Sequence, residues 1–597
     1  MGTRTWGIDL GTTCSAIGYV ADGVPRLIAV DGSPLVPSVV SYTPSGPVVG
    51  AAARNRLALE PERTIRSAKR HMGTDHTWTI DGQTITPQDV GAEVLRALCA
   101  AAEAATGERP RRVVITVPAW FTQAQRAATR EAGRLAGLEV ARIINEPTAA
   151  ALAHAQGQPC QRRALVYDLG GGTFDVSLVD QDGDLVEVRA SRGDTRLGGD
   201  DVDHALLTWV YRQIPEGLAR AIQASPGAQA RLLLAVEEAR IALSATLETT
   251  LRAPFLVEVD GRPEHLELPI RRDAVEEVFE AYLERTLACV DQVLEDAKVD
   301  PRSVSELLLV GGLSQTPRVW HALQEHLGLE GSAAIPPDKA VALGAAIQGA
   351  IIDGVDVMGI LVDVAPYALS VGVSAGPMPS MSTHALCRVL TPRNAVLPSR
   401  HTERFQTSHP LQTEISIPVF QGSSKNPLKN VILGEIRMDR LPPAPDGTYA
   451  RPISVEFRHD LDGLVTIQVT DDWSGRTARG TVVAAGDEDA RLRERLHAWM
   501  RDLIPGDGTD EDDAPEAAPE DSATAGPWVP EDDEMRQTFE AVLAAQKTLG
   551  REHPSDAPEL VALASRGLMA LGSGAPDAAR DPYERLSDQL FALGIYL

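Results

Sequence analysis

The chain has 597 residues, more than one hydrophobic core of roughly 250–300 residues can organise, so several domains are expected. Its 83 acidic residues outnumber its 56 lysines and arginines, which gives a formal net charge of -27. A surface of this sign repels nucleic acid and anionic membranes, and neither is expected as a partner. Any phosphate ligand must therefore be held by local groups.

The cysteines and the N-terminus predict a cytoplasmic protein. The five cysteines are widely scattered and form no C-x-x-C pair, which indicates neither a disulfide framework nor a zinc site. The N-terminal residues contain no apolar signal segment, and no run in the chain approaches eighteen consecutive apolar residues. We therefore expect no membrane span and a reducing compartment.

The pattern of apolar residues changes once along the chain. From residue 1 to 353, short β-rich runs alternate with alanine-rich helical stretches, which is typical of α/β structure. From about residue 364 the apolar residues alternate with period two, as at Ile415 and Ile417, and Asp462-Gly463 predicts a hairpin turn. Residues 364–486 are therefore predicted to form an antiparallel β-sandwich, joined to the first domain by a linker over 354–363.

Three further segments follow the predicted sandwich. Residues 487–504 have the apolar stripe of a helix. Asp502–Met535 contains thirteen carboxylates and neither lysine nor arginine, which predicts an acidic disordered tether over 505–534. Residues 535–597 are predicted to form a C-terminal helical segment.

Two loops, 159 residues apart, share one pattern. "WGIDLGTTCSAIGYV" (6–20) and "VYDLGGGTFDVSLVD" (166–180) both consist of an apolar strand ending in Asp-Leu-Gly, then glycine or threonine, then a second strand. A glycine turn exposes backbone N–H groups that bind phosphate oxygens, and a terminal aspartate tolerates phosphate only with Mg²⁺ and its waters in between. One such loop is equally explained as an ordinary hairpin turn. Two copies indicate two related lobes that hold one polyphosphate, and the chain has no P-loop or dinucleotide motif.

An ordered series of motifs resembles one known family. The motifs are "GIDLGTT" (7–13), "ITVPAWF" (115–121), "RIINEPTAAAL" (142–152), "YDLGGGTFDVS" (167–177), "LGGDDVD" (197–203), "LLLVGG" (307–312), "RNAVLPSR" (393–400), "VFQG" (419–422) and "DWSGR" (472–476). They resemble the DnaK-type seventy-kilodalton heat-shock chaperones, the heat shock protein 70 family. The resemblance implies a two-lobed actin-like (ribonuclease H-like) ATPase domain over 1–353, a β-sandwich substrate-binding domain and an α-helical C-terminal region.

The resemblance also implies a set of nucleotide-site residues. Those implied to be catalytic are Lys69, Glu146, Asp168 and Thr173. Those implied to bind ATP are Gly11, Thr12, Thr13, Gly170, Gly171, Gly172, Gly198, Gly199, Glu237, Arg240, Ser244, Gly311, Gly312 and Asp338. Those implied to lie near Mg²⁺, through water, and near K⁺ are Asp9, Asp168 and Asp175. Phosphoryl transfer to water needs positioning and charge neutralisation rather than a nucleophilic side chain, so this set is sufficient.

Coupling and peptide binding are implied in the same way. The residues implied to be allosteric are Pro118, Arg126, Arg142, Asn145 and Asp363, and a J-domain co-chaperone is expected at Arg142 and Asn145. The residues implied to bind an extended peptide are Phe405, Ile415, Ile417, Cys387 and Ser408, although the sandwich core explains Phe405 equally well. The linker sequence "DVMGILVD" (356–363) is expected to add as a strand to an edge of the ATPase domain.

The chain also departs from the family pattern. Gln315 stands where relatives carry an arginine that stacks on adenine, which predicts weaker ATP binding. The stretches at about 75–85 and after 203 are short, which puts the usual nucleotide exchange factors in doubt. The helical part after 487 does not resemble the family lid.

The function implied is that of an ATP-dependent chaperone. It would hydrolyse ATP slowly to ADP and phosphate and couple the nucleotide state to binding and release of extended apolar segments of unfolded proteins. Two alternatives stay open at this point: a nucleotide-gated scaffold or sensor with little turnover, and a small-molecule kinase of the actin-like superfamily.

Overall fold

The computed structural model describes residues 4–481, except 157–159, 260–261, 333–334, 356, 358, 376–383, 408–411 and 442–450, together with Leu560, Leu563, Ala564 and Leu586. Contacts divide the chain into two units, residues 1–505 and 506–597. In the second unit the four described residues are helical and fully buried. The predicted helix at 487–504 and tether at 505–534 lie outside the described residues, as does all but those four residues of the segment 535–597.

Residues 4–155 form a first α/β region around a six-stranded sheet. The strands of this region, which include the six of that sheet, are β1 (Thr5–Asp9), β2 (Cys14–Ala21), β3 (Val24–Leu27), β4 (Val36–Pro37), β5 (Val40–Thr43), β6 (Gly46–Val49), β7 (Thr64–Ile65), β8 (Trp78–Ile80), β9 (Gln83–Ile85), β10 (Arg112–Val117) and β11 (Glu139–Asn145). Its helices are α1 (Ala51–Arg56), α2 (Pro87–Thr106), α3 (Gln123–Leu135) and α4 (Glu146–Ala155). The sheet order is β11-β10-β1-β2-β3, with β4 paired to β2, so β1 ends at the centre of the sheet.

Residues 160–364 form a second α/β region. Its strands are β12 (Cys160–Leu169), β13 (Phe174–Gly183), β14 (Leu185–Asp194), β15 (Glu248–Val259), β16 (Arg262–Arg271), β17 (Glu306–Val310), β18 (Gly331–Ser332) and β19 (Ile360–Val364). Its helices are α5 (Gly199–Gln213), α6 (Glu216–Gln223), α7 (Pro226–Ala245), α8 (Arg272–Asp296), α9 (Pro317–Leu327) and α10 (Ala340–Ile352). The hairpin β12–β13 lies at the centre of a seven-stranded sheet, as the hairpin β1–β2 does in the first region.

Residues 369–481 form strands and turns in their described part, with one short 3-10 helix at Pro427–Lys429. The strands are β20 (Leu369–Ala375), β21 (His384–Thr391), β22 (Val396–Leu397), β23 (Ser399–Gln406), β24 (Ile415–Gln421), β25 (Val431–Met438), β26 (Pro452–His459), β27 (Val465–Asp471) and β28 (Thr477–Thr481). Eight of them form two four-stranded antiparallel sheets, β21-β20-β24-β25 and β23-β26-β27-β28, whose apolar side chains share one core, while β22 pairs with β19 instead. The hairpin predicted at Asp462-Gly463 is confirmed between β26 and β27, and Gly463 takes the positive φ of 73° that its turn requires.

The two α/β regions meet through helices α4 and α10. All ten residues of α4 are buried, and small side chains line both helices. A Cβ atom at Gly344 of α10 would lie only 1.7 Å from the carbonyl oxygen of Ala149 in α4, and one at Gly7 of β1 only 2.0 Å from the backbone nitrogen of Ala346. These glycines let the backbones approach closely enough to bring the two central hairpins to one cleft.

The predicted α/β class is confirmed for the part of the chain that the structure describes, since helices and strands alternate over several sheets. The linker prediction is also confirmed for β19, which pairs in parallel with β14 at Leu185↔Ile360 and Val186↔Leu361. β19 also pairs with β22, and so extends the seven-stranded sheet to its edge. No described helix is both long and apolar enough to span a membrane.

Candidate functional site

The two predicted phosphate loops are the turns of the central hairpins, and they contact each other. In the second loop the Gly170 N–H donates to the Thr173 carbonyl at 3.1 Å, which closes the turn. A Cβ atom at Gly171 would lie 2.2 Å from Cγ2 of Thr13, and one at Gly172 would lie 2.5 Å from Cγ2 of Thr12. Both glycines are therefore required by the close approach of the opposite loop, which a single sequence motif could not reveal.

Two further glycine pairs adjoin the second loop. The N–H groups of Gly199 and Asp200, at the start of α5, donate to the carbonyls of Gly170 and Gly171 at 3.0 and 2.7 Å. Gly311 has a φ of +83°, and a Cβ atom there would lie 2.4 Å from the Leu169 carbonyl oxygen. Gly198, Gly199 and Gly311 thus belong to the same loop cluster, and the neighbouring Gly312 has open space where a Cβ would be.

Four carboxylates converge beside these loops. Asp9 ends β1 and Glu146 begins α4, while Asp168 and Asp175 face each other in the β12–β13 register. The Thr116 hydroxyl donates to Asp9 at 2.9 Å, and the Trp120 N–H donates to Asp175 at 3.1 Å. Lys69, in a 3-10 turn over Ala68–His71, is 5% exposed and donates to Glu146.

Burial disfavours the charged form of these carboxylates. Desolvation, followed by the negative charge of Glu146, raises the pKa of Asp9 to about 7. The same two causes, in the same order, raise the pKa values of Asp168 and Asp175 well above the ordinary range. One buried lysine cannot neutralise the three buried carboxylates and the partly buried Asp9, so the cluster has the charge of a site that takes up cations.

The donor set fits a hydrated magnesium ion. Mg²⁺ prefers carboxylate oxygens, keeps several waters and is usually held by one or two carboxylates together with substrate phosphates. In the described ranges, no three His, Cys, Asp or Glu side chains are grouped closely enough to hold an ion directly. Contact through water, as the family resemblance implies, is consistent with both observations.

Besides Gly311 and Gly312, the residues expected near adenosine lie on α7 and around the first loop. Arg240 is held by two hydrogen bonds to Asp203 at 2.6 and 3.1 Å, and Glu237 lies 3.3 Å from Arg54 of α1. Cys14 is exposed, but neighbouring atoms still desolvate its thiol, and this desolvation, followed by the negative charges of Glu237 and Asp338, raises its pKa to about 11. This places Glu237 and Asp338 around the start of β2. The Ser244 carbonyl accepts a hydrogen bond from Arg272 at 3.4 Å. Gln315 is exposed.

Sequence reasoning missed two ion pairs beside the phosphate loops. Arg66 donates to Asp200 at 2.8 Å, and Arg70 donates to Asp201 at 2.8 and 3.0 Å. The pairs join the segment around Lys69 to the first turn of α5. The two members of each ion pair are 134 and 131 residues apart in sequence, respectively, so the pattern of residues contains no signal of the pairing.

Three of the five residues expected to couple the domains are joined by hydrogen bonds, and Pro118 and Arg142 lie beside them. Arg126, 3% exposed, donates to Asn145 Oδ1 at 2.7 Å and to the Ala119 carbonyl at 2.9 Å, beside Pro118. Asn145 Nδ2 donates to Asp363 at 2.9 Å at the end of the linker strand. Arg142 is partly buried near Asp363, and desolvation lowers its pKa.

This network extends into the β-rich region through the turn between β26 and β27. Arg126 donates to the Asp462 carbonyl at 3.3 Å, and the Ile143 N–H donates to the Asp462 carboxylate at 2.9 Å. Arg130 also pairs with that carboxylate. The side chain of Gln123 donates to the Gly463 carbonyl at 2.6 Å. The hairpin that local sequence predicted therefore lies against α3 and β11.

The residues expected to bind peptide are only partly brought together. Ile415 and Ile417 are buried in the core shared by the two β-sheets, and Phe405 packs against it, partly buried. Cys387 is buried away from that cluster beside Ser370 and Asn430, and burial raises the pKa of its thiol. Ser408 lies outside the described residues.

Comparison with known proteins identifies the family. The family model described as Hsp70 protein matches residues 5–81 and 76–514. The chain belongs to the Hsp70 family. Among Hsp70 relatives, chaperone protein DnaK of Thermotoga neapolitana is 42% identical over 479 residues, covering 79% of this chain and 78% of the relative. Chaperone protein DnaK of Thermosipho melanesiensis is 38% identical over 490 residues, covering 80% of each.

Membership of the Hsp70 family establishes the general function. The chain is an ATP-dependent chaperone that uses ATP and ADP and acts on unfolded proteins together with co-chaperones. The expected ATPase activity is confirmed in this general form. Neither the scaffold nor the small-molecule kinase alternative gains support.

Proposed function

We propose that the carboxylate–lysine cluster between the two hairpins hydrolyses ATP, and that the linker strand and the β26–β27 turn transmit the nucleotide state to a peptide-binding β-sandwich. The observation that carries the proposal is the convergence of three buried carboxylates, the partly buried Asp9 and Lys69 on two contacting glycine loops. No lone motif would produce this arrangement.

The proposed roles follow from the chemistry of each group. The backbone N–H groups of Gly171 and Gly172 and the hydroxyls of Thr12, Thr13 and Thr173 hold phosphate oxygens, and the Gly170 N–H closes the turn that presents them. Lys69 neutralises charge that develops on the transferred phosphoryl group, while Glu146 and Asp168 accept hydrogen bonds from the attacking water and orient it. Mg²⁺, held through water by Asp9, Glu146 and Asp168, would neutralise the β- and γ-phosphates. Asp9, Asp168 and Asp175 would also lie near K⁺.

The adenosine of the nucleotide would lie between α7 and the loop after β17. Glu237, Arg240 and Ser244 would contact it from one side, and Gly311, Gly312 and Asp338 from the other. Arg240 is oriented for this by its two bonds to Asp203. The exposed Gln315 would stack less well on adenine than an arginine, so a modest ATP affinity is expected.

The proposed domains are an ATPase domain over 1–353, a linker over 354–363 and a peptide-binding β-sandwich over 364–486. The shared core of the two β-sheets supports the last of these. A helix over 487–504, a tether over 505–534 and a helical segment over 535–597 complete the proposal. A J-domain co-chaperone would dock around the partly buried Arg142, beside the linker strand, with Asn145, only 4% exposed, beneath that surface.

Coupling is tested by peptide affinity in two nucleotide states. Fluorescence anisotropy of a labelled apolar peptide is measured with the full chain in ADP and then in ATP, and ATP is expected to weaken binding at least tenfold. Asp462→Ala removes the carboxylate that bonds to Ile143 and Arg130 and is expected to shrink this difference. Absence of peptide binding in both states would overturn the proposal.

A further inference from the structure

An aromatic pair joins the β-rich region directly to the segment beside the carboxylate cluster. Tyr367 lies between the linker strand β19 and β20, and its hydroxyl donates to the Trp120 carbonyl. The two rings meet edge to face, with centroids 4.6 Å apart and planes at 64°. Burial raises the pKa of Tyr367 well above its usual value, so the hydroxyl keeps the proton that it donates.

The segment Pro118–Phe121 touches the reaction site at two points. The backbone N–H of Trp120 donates to the Asp175 carboxylate at 3.1 Å. The ring of Phe121, 2% exposed, has its centroid 5.6 Å from Nζ of Lys69. A shift of this short segment therefore moves a hydrogen-bond donor of one carboxylate and a packing surface of the lysine together.

The hydrogen bond from the Tyr367 hydroxyl holds this segment by its backbone. A peptide unit is planar, so a hydrogen bond to the Trp120 carbonyl orients the unit that also contains the nitrogen of Phe121. At the other end, the Phe121 N–H donates to the Pro118 carbonyl at 3.1 Å, and the Phe121 carbonyl accepts from Arg126 at 3.2 Å. Tyr367 is the contact that reaches this turn from beyond the linker strand.

We propose that Tyr367 is a positioning residue for ATP hydrolysis: its hydroxyl holds the Trp120–Phe121 peptide unit and so links docking of the β-rich region to the placement of Asp175 and Lys69. The inference rests on the proposed coupled ATPase function and adds a route to it. This route begins at a different residue from the network of Arg126, Asn145 and Asp363, but both reach the same turn: Arg126 donates to the Ala119 and Phe121 carbonyls, and Tyr367 donates to the Trp120 carbonyl between them.

Three single variants of the full chain separate the hydroxyl from the rings. Tyr367→Phe removes the hydroxyl and keeps the aromatic contact. Trp120→Phe keeps the carbonyl that accepts the bond, and the indole N–H that it removes has no partner among the described residues. Tyr211→Phe is the matched control, since the Tyr211 hydroxyl is buried on α5 without a hydrogen-bond partner in the described part of the chain.

The first measurement is the factor by which an apolar peptide stimulates ATP hydrolysis. One hydrogen bond has a net effect equivalent to about two- to tenfold in an equilibrium or rate. Tyr367→Phe is therefore expected to reduce the stimulation factor about two- to tenfold while leaving the Kd for ADP unchanged, because the hydroxyl touches no nucleotide-binding residue. Trp120→Phe is expected to reduce the stimulation factor less than Tyr367→Phe does, and Tyr211→Phe is expected to leave it unchanged.

The second measurement does not depend on turnover. Amide hydrogen exchange of the segment 118–123 is expected to be at least about twofold faster in Tyr367→Phe than in the wild type and unchanged in Tyr211→Phe. Unchanged exchange, or faster exchange with a wild-type stimulation factor, would overturn the proposal. A wild type that does not hydrolyse ATP would instead overturn the proposed function.

Discussion

Replacing Lys69 by methionine tests the charge balance of the cluster. Lys69 and Glu146 have side chains only 5% and 11% exposed, and Lys69 is the one cation within ion-pair distance of Glu146 among the described residues. Breaking a buried pair by removing one partner destabilises a protein by about 3–5 kcal/mol, because the remaining charge is left uncompensated. Lys69→Met is expected to lower the free energy of unfolding by about that amount.

The same variant is expected to abolish most ATP hydrolysis. Loss of one preorganised group that stabilises developing charge lowers kcat by about 10²–10³-fold. Single-turnover hydrolysis and urea unfolding are measured for Lys69→Met and for the double variant Lys69→Met/Glu146→Gln. The double variant removes the uncompensated charge, so stability should return while hydrolysis stays low. Hydrolysis within threefold of wild type in either variant would refute the assigned role of Lys69.

Two further predictions concern the loops and the carboxylates. Gly171→Ala would bring a Cβ atom to 2.2 Å from Cγ2 of Thr13, so the hairpins must separate and the Kd for ADP, measured by calorimetry, should rise about tenfold or more. Gly217→Ala, which has open space at the Cβ, is the control and should leave that Kd unchanged. Equal affinities in the two variants would contradict the contact between the loops. In the folded, nucleotide-free protein the pKa of Asp9 is about 7 against an ordinary 3.8, so the folded state binds this proton more tightly than the unfolded state. The stability this contributes is fully present below pH 4 and is lost as the pH rises through 7. The free energy of unfolding should therefore fall between pH 4 and 8, and Asp9→Asn should flatten that slope; identical slopes in the two proteins would show that Asp9 is not buried in its neutral form.

Local sequence determined the elements whose geometry depends on neighbouring residues. The Asp462-Gly463 turn needs a positive φ, which glycine supplies, and α2 and α3 begin at threonines whose side chains cap the third residue of the helix. The linker strand followed from apolar residues between acids, because an extended apolar segment gains by pairing with an open sheet edge. The peptide-contact residues stay a prediction, since Phe405 packs against the same core that explains it without a ligand.

By itself, the sequence identified the glycine loops, the acidic and lysine residues and the order of α/β and β-rich regions, because backbone freedom, charge and periodicity are properties of neighbouring residues. Only the tertiary structure decided which of them meet. Lys69 and Glu146 are 77 residues apart, and Trp120 and Tyr367 are 247 apart. Their contacts depend on how closely α4 and α10 pack and on where the linker strand ends. Burial, which raises the carboxylate pKa values and makes one lysine decisive, is likewise a property of the assembled core.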